Sequence, residues 1–301
     1  MSDIKNKIKQ LLLDRKYFSE STLKTYTSLL AGVYRMFPGA DIEKVFQNVE
    51  AIILAVDAMD RPNTSKATIF SALYGITGEK KYQTRMRGIS AVVVESYKSQ
   101  KMTQQREHAA MTMDEIRQVY RDLAVKAASR ERTHTDITNA LIAGLMSGVF
   151  DSLPPRRLMD YSELRFRSFS AMDEEYNIIA SYEKRYHMVF NKYKTAASDI
   201  ANGKGPATAV VPKQLDGLVD TLLMSSGSGG GFLLQNTNGN KFTPASLHAR
   251  LLTIYGFGVD MLRSIYISDL HKHTPSIRKM EAVAAAMGHS PSAQLLFYTK
   301  K

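Results

Sequence analysis

An arginine, Arg263, stands in the apolar run Val259–Ile267 near the end of this chain, and a Gly-His-Ser turn, Gly288 to Ser290, follows 25 to 27 residues later. Tyr298 comes nine residues after His289. These residue types share one chemistry. An arginine fork holds a phosphate through two parallel hydrogen bonds, a histidine accepts or gives a proton near neutral pH, and a tyrosine is an oxygen nucleophile.

Further upstream, Arg156 and Arg157 follow the break Pro154-Pro155, with an acid, Asp160, after them. Lysines recur in NKYKTAASDIANGKGP, as Lys192, Lys194 and Lys204. The chain has 40 Lys and Arg against 29 Asp and Glu, a net charge of +11. The excess is shared, at 17 against 11 over residues 1–111 and 23 against 18 over residues 112–301. A basic face in each half is the electrostatic footprint of a nucleic-acid binder.

Composition excludes several classes. No cysteine is present, which rules out disulfides and thiolate metal sites. The seven histidines are scattered without ligand spacing, so no metal and no cofactor is expected. No apolar run has the eighteen or so residues of a membrane span, and the first residues lack the apolar core of a signal peptide. A chain of 301 residues implies two domains.

The elements that must position these groups read as follows. Ser21 or Thr22 caps a helix through Phe37, with Leu23, Tyr26, Leu29, Leu30 and Val33 at helical spacing. Pro38-Gly39 ends it, Asp41 opens a second helix, Thr64 or Ser65 caps a third, and a fourth runs over about residues 81–102. Residues 1–98 thus read as a small four-helix domain, and the polar stretch 99–111 as a linker. In 112–301, Thr112 and Glu115 form a capping box, and Thr133 or Thr135 starts the next helix. Strand patterns follow at 176–181, 186–191 and 207–211, with a turn at 198–206 and a short strand FLLQ after the Gly-Ser run 225–231. Helical patterns return toward the C-terminus. The fold class is mainly α with a small antiparallel β-sheet.

In its second half this order resembles the tyrosine recombinase, or phage integrase, family: an arginine on a turn, a hairpin lysine, a His-x-x-Arg pair, a Gly-His turn and a late tyrosine. Met287-Gly288-His289-Ser290 is similar to the family's Leu-Gly-His-Ser, and the gap to Tyr298 matches. The resemblance implies catalytic roles for Arg157, Lys194, Arg263, His289 and Tyr298, with Asp160 in support. Arg156 is the alternative to Arg157, and Lys192 and Lys204 are alternatives to Lys194. One position departs: Asp260 stands where the family has His or Lys, and an ionised carboxylate donates nothing to a phosphate. That role is then lost, moved, or taken by a neighbour such as His248.

The resemblance further implies a helical, SAM-like core-binding domain at 1–98 and a DNA breaking–rejoining catalytic domain at 112–301. The expected function is site-specific recombination or integration of duplex DNA through a 3′-phosphotyrosyl link, by a homo-tetramer on paired sites and without a membrane. A C-shaped clamp around the duplex and a viral or mobile-element origin belong to the same expectation. Location would be cytoplasmic or nuclear, wherever the target DNA is. With three residues after Tyr298, protomers would interlock through another segment, and a helical domain starting near residue 1 suggests no arm-binding domain. The competing readings are a type IB topoisomerase-like enzyme and a catalytically impaired DNA-binding protein of the same fold.

Overall fold

The computed structural model describes residues 2–15, 17–99, 111–167, 175–194, 196–201, 203, 205–225 and 231–299. Two compact units divide the chain, Met1–Ser99 and Gln100–Lys301. Nearly all of the expected linker, and Lys204, lie outside the described residues.

The first unit contains six helices among the described residues: α1 (Ser2–Leu13), α2 (Glu20–Tyr34), α3 (Ile42–Gln47), α4 (Val49–Asp57), α5 (Asn63–Thr77) and α6 (Lys80–Lys98). Two corrections to the four-helix expectation follow. The lysine-rich start KNKIKQLLL forms a helix because Ile8 and Leu12 fall on one face and are fully buried. The second expected helix is divided at Asn48, whose ψ of 74° leaves the helical region. The cap of α2 is Ser19, whose hydroxyl accepts from the Thr22 amide, rather than Ser21 or Thr22. Pro62, with no side-chain cap, precedes α5. One core closes this unit, with Leu30, Ile52, Phe70, Leu73 and Tyr82 buried in it.

The second unit opens with α7 (Met113–Ala128) and α8 (His134–Met146). Both begin with capping boxes, Thr112 with Glu115 and Thr133 with Asp136. Between them each box satisfies amides that a bare helix start leaves unpaired. Helix α8 is buried almost all round and packs against α7, α11 (Asp216–Ser225) and α12 (Pro244–Tyr255). Gly148, just beyond α8, has φ +76°, and a Cβ there would lie 2.5 Å from the Tyr266 ring and 2.9 Å from Pro155. Only glycine lets the chain turn so close to the Pro154-Pro155 segment that delivers Arg156 and Arg157.

The sheet has the order β1 (Leu164–Phe166), β2 (Asn177–Tyr182), β3 (Arg185–Phe190), β4 (Ala207–Val210). Strands β2, β3 and β4 pair antiparallel, as expected for these segments, and β1 adds in parallel to β2, making the sheet mixed. The tight hairpin is β2–β3, with Glu183 and Lys184 at φ +48° and +60°. Where residues 198–206 read as a turn, the β3–β4 connection holds a short helix, α10 (Ala196–Ala201). The FLLQ segment makes isolated bridges, Arg165 to Phe232 and Gln235 to Lys241, rather than a strand. Ile178, Ile179, Met188 and Phe190 are buried, and each such side chain contributes about 1.5–3 kcal/mol. The chain then runs through α13 (Val259–Lys272), α14 (Ile277–Ala286), the short α15 (Pro291–Ala293) and a single π-turn, Gln294–Tyr298.

Candidate active site

Helix α14 ends in a Schellman motif. Gly288, at φ +69°, donates its amide to the Ala285 carbonyl, and the His289 amide reaches back to Ala284. This closure leaves the next three carbonyls, of Ala286, Met287 and Gly288, without helical partners, and a different arginine takes each. Arg156 Nη1 donates to Ala286, Arg263 Nη2 to Met287 at 3.4 Å, and Arg157 Nη1 to Gly288 at 2.9 Å. The Gly-His turn thereby collects three guanidiniums from two distant stretches of chain.

Each arginine arrives by a separate route. Arg156 follows the proline break, is 2% exposed, and stacks 4.2 Å from the Phe190 ring centroid and 5.5 Å from that of Tyr193. Its Nε donates to Asp160 at 2.7 Å, in a pair four residues apart. Arg157 is the residue before α9 (Leu158–Ser162) and is half-buried. Arg263 is on α13, whose span 259–267 is buried on all but one position, and it is 0% exposed. Asp160 supports the turn as the sequence suggests, with one difference: its carboxylate pairs with Arg156, while its amide is what bonds the Arg157 carbonyl.

The trio is electrostatically unfinished. Three guanidiniums face one buried carboxylate, so among the described residues two positive charges have no ion-pair partner. Arg156 Nη2 and Arg263 Nε and Nη1 are buried with no hydrogen-bond partner among the described residues. Burial lowers the Arg263 pKa, with the nearby Tyr298 opposing, and burial pushes the Asp160 carboxyl up against the pull of Arg156. Buried unpaired donors are costly, and they fit an anion.

Tyr298 lies against one member of this trio, Arg263. The Arg263 guanidinium is 4.4 Å from its ring centroid, and His289 stacks on it at 5.2 Å with planes 20° apart. A cation–π contact on a part-exposed ring of this kind is worth about 0.5–1 kcal/mol. The tyrosine ends the π-turn, a form that recurs at functional sites, and Ser268 Oγ donates to its carbonyl. Gln294, at the start of that turn, is buried with both amide atoms unpartnered among the described residues.

His289 Nδ1 lies 3.1 Å from the Ser290 carbonyl. A carbonyl only accepts, so Nδ1 carries the proton and Nε2 keeps its lone pair. Burial, joined by Arg263, Arg157 and Arg156, lowers the imidazole pKa to about 4, while the Ser290 bond opposes. The ring is therefore neutral at pH 7. Because the folded pKa lies below the unfolded value of about 6.5, the unfolded chain binds the extra proton, and stability falls as pH drops through that window. The urea midpoint is expected to decline from pH 6.5 toward pH 4, and His289→Gln to make that decline shallower.

The turn glycine makes a second prediction. A Cβ at Gly288 would meet Arg156 Nη2 at 3.3 Å and Arg157 Nη1 at 3.6 Å, on a left-handed backbone. Gly288→Ala is expected to cost about 1–2 kcal/mol in chemical denaturation.

Other expected site residues are placed differently. Lys194 is exposed on the β3–β4 connection, ahead of the segment 198–206 as the sequence placed it, and no described contact joins it to the arginines. Its predecessor Tyr193 does reach Arg156. Lys192 is also exposed, over Tyr176. Asp260 is exposed in the first turn of α13, where a carboxylate is favoured by the helix dipole. His248 is exposed on α12, its ring against Gly258. Sequence reasoning missed Asn177, which is fully buried and donates to the carbonyls of Asp160 and Lys192. A polar residue opening the apolar strand Asn-Ile-Ile-Ala was its only signal.

Among the described residues no helix is long and apolar enough to cross a membrane, and no group of His, Cys, Asp or Glu could hold a metal ion. No protein-family model matches the chain, and no curated protein matches it. Among solved structures, the chain is similar to the crystal structure of XerA recombinase at 13% identity and a TM-score of 0.40, covering 98% of this chain and 94% of that one.

Proposed function

We propose that this chain cuts and rejoins DNA through a phosphotyrosyl intermediate, as a site-specific recombinase or integrase. The observation that carries this reading is the set of three arginines on three successive carbonyls, with unpaired N–H groups, beside Tyr298 and His289. Such a cluster suits a phosphodiester whose non-bridging oxygens gain charge during reaction.

In the proposed step, the Tyr298 phenol oxygen attacks phosphorus and the bond to the 5′ oxygen breaks. The phenol proton passes to His289 Nε2, and Lys194 gives a proton to the departing 5′ oxygen. The products are a 3′-phosphotyrosyl link and a free 5′-hydroxyl. A phosphodiester is exchanged for another, so rejoining is the same step reversed and needs no nucleotide hydrolysis. Arg157 and Arg263 hold the non-bridging oxygens. Arg156 Nη2 supplies the further donor that Asp260 does not. The helical unit 1–98 is read as a DNA-binding domain, and the assembly as a tetramer on paired sites.

The test is a nicked duplex that loses its 5′-hydroxyl fragment on cleavage and so traps the covalent species. The parent is expected to give an SDS-stable protein–DNA adduct and Tyr298→Phe none. An adduct of equal yield from Tyr298→Phe, or no adduct from any duplex by the parent, sinks the proposal. Relaxation of supercoiled DNA lacking paired sites would move the assignment to a topoisomerase.

A further inference from the structure

Five side chains of the second unit form a ladder in which cations and rings alternate: Lys192, Tyr176, Arg165, Phe232, Lys241. Arg165 is the middle residue of β1, and its neighbours Leu164 and Phe166 are buried, so strand alternation turns it to the other face. Its guanidinium is 3.4 Å from the Tyr176 ring centroid and 4.4 Å from that of Phe232. The Lys192 ammonium lies 5.1 Å from Tyr176, and the Lys241 ammonium 5.0 Å from Phe232.

Backbone bonds hold the rungs in place. The Phe166 amide donates to Gly231 and the Leu233 amide to Leu164, which fixes Phe232 beside Arg165. Asn177 Oδ1 accepts from the Lys192 amide at 2.6 Å, and its Nδ2 bonds the carbonyls of Lys192 and Asp160. The ladder is thus tied, through one buried amide, to the backbone carbonyl of Asp160, the residue whose carboxylate pairs with Arg156.

Its charge is in excess. Glu163 pairs with Lys241 at 2.7 Å, no ion pair among the described residues is made by the other two cations, and both lysines are exposed. Arg165 Nε is buried without a partner among the described residues. Hydrophobic cover of β1 would need the rings alone. Three cations, each separated from the next by one ring, suit an anion that repeats rather than a single one.

We propose that this ladder is a track for a DNA phosphate backbone leading into the Tyr298 site. Successive phosphates lie on Lys192, Arg165 and Lys241. The inference rests on the DNA reading of Tyr298, and the experiment separates the two. Equilibrium binding to a duplex is measured against KCl concentration in the Tyr298→Phe background, where no turnover occurs. The Lys192→Ala/Lys241→Ala pair is expected to reduce the slope of log affinity against log salt by about two, close to one per lost phosphate contact. The weakening should be uniform across sequences. The Lys192→Arg/Lys241→Arg pair, which keeps the charges, is expected to restore the slope and serves as the folding control.

Equal slopes in parent and alanine pair overturn the ladder proposal. So does lost binding to polyglutamate with duplex binding unchanged, which would make the surface an acidic-peptide site. If the Tyr298 reading alone is wrong, the parent forms no adduct and the slope difference persists. If the ladder alone is wrong, the adduct forms and the slopes coincide.

Discussion

Arg263→Met is expected to leave the protein as stable as the parent, or more so, while strand cleavage falls about 10²–10³-fold. The two halves of this result come from one property. Arg263 is fully buried, two of its guanidinium nitrogens lack partners, and burial lowers its pKa. Replacing a buried, poorly compensated charge by an apolar side chain of similar volume is often neutral or stabilising by about 1–4 kcal/mol. Methionine fills similar volume without that cost. It cannot donate to an anion, so any transition state relying on Arg263 loses a preorganised partner. Urea midpoints and single-turnover cleavage rates check both halves. A large loss of stability with little loss of rate would make Arg263 a structural residue and remove the second arginine from the mechanism.

Asp160→Ala is expected to behave oppositely, destabilising the fold by about 3–5 kcal/mol. Its carboxylate is the buried counter-ion of Arg156, at 2.7 Å with both side chains almost fully covered. Removing it leaves Arg156 charged beneath Phe190 and Tyr193, beside Arg157 and Arg263. The double replacement Asp160→Leu with Arg156→Met should recover much of the loss, because no charge is then left alone. Chemical denaturation of the parent, Asp160→Leu, Arg156→Met and the double variant gives the coupling directly. Additive effects would mean that the pair does not act as a unit.

The residues of the site were more legible than its wiring. The Gly288-His289 turn is readable because a left-handed C′ glycine after an alanine-rich helix has one common use. Strands β2 and β3 show as short apolar runs and β4 in its alternation. Adjacent arginines are harder: nothing in Arg-Arg says which one turns inward. The structure turns Arg156 in, since the spacing of four to Asp160 closes the buried pair, and leaves Arg157 half-exposed over Gly288. That three arginines would share three consecutive carbonyls is a tertiary fact, made by bringing residues about 130 positions apart together. Helix α1 was hidden by its lysines, which mask a two-residue apolar face. The break at Asn48 has no proline or glycine to announce it. The cation–ring ladder was hidden because its five members come from four separate segments, joined only when β1 meets the 231–235 segment.

The most direct test is to find the atom that carries the DNA. The covalent species trapped on a nicked duplex is digested with nuclease and protease, and the nucleotide-bearing peptide is fragmented by mass spectrometry. The account predicts one modified residue, Tyr298, in the peptide containing Gln294–Thr299, linked through a 3′-phosphate. A nucleotide on any other residue, or a link through a 5′-phosphate, would contradict it.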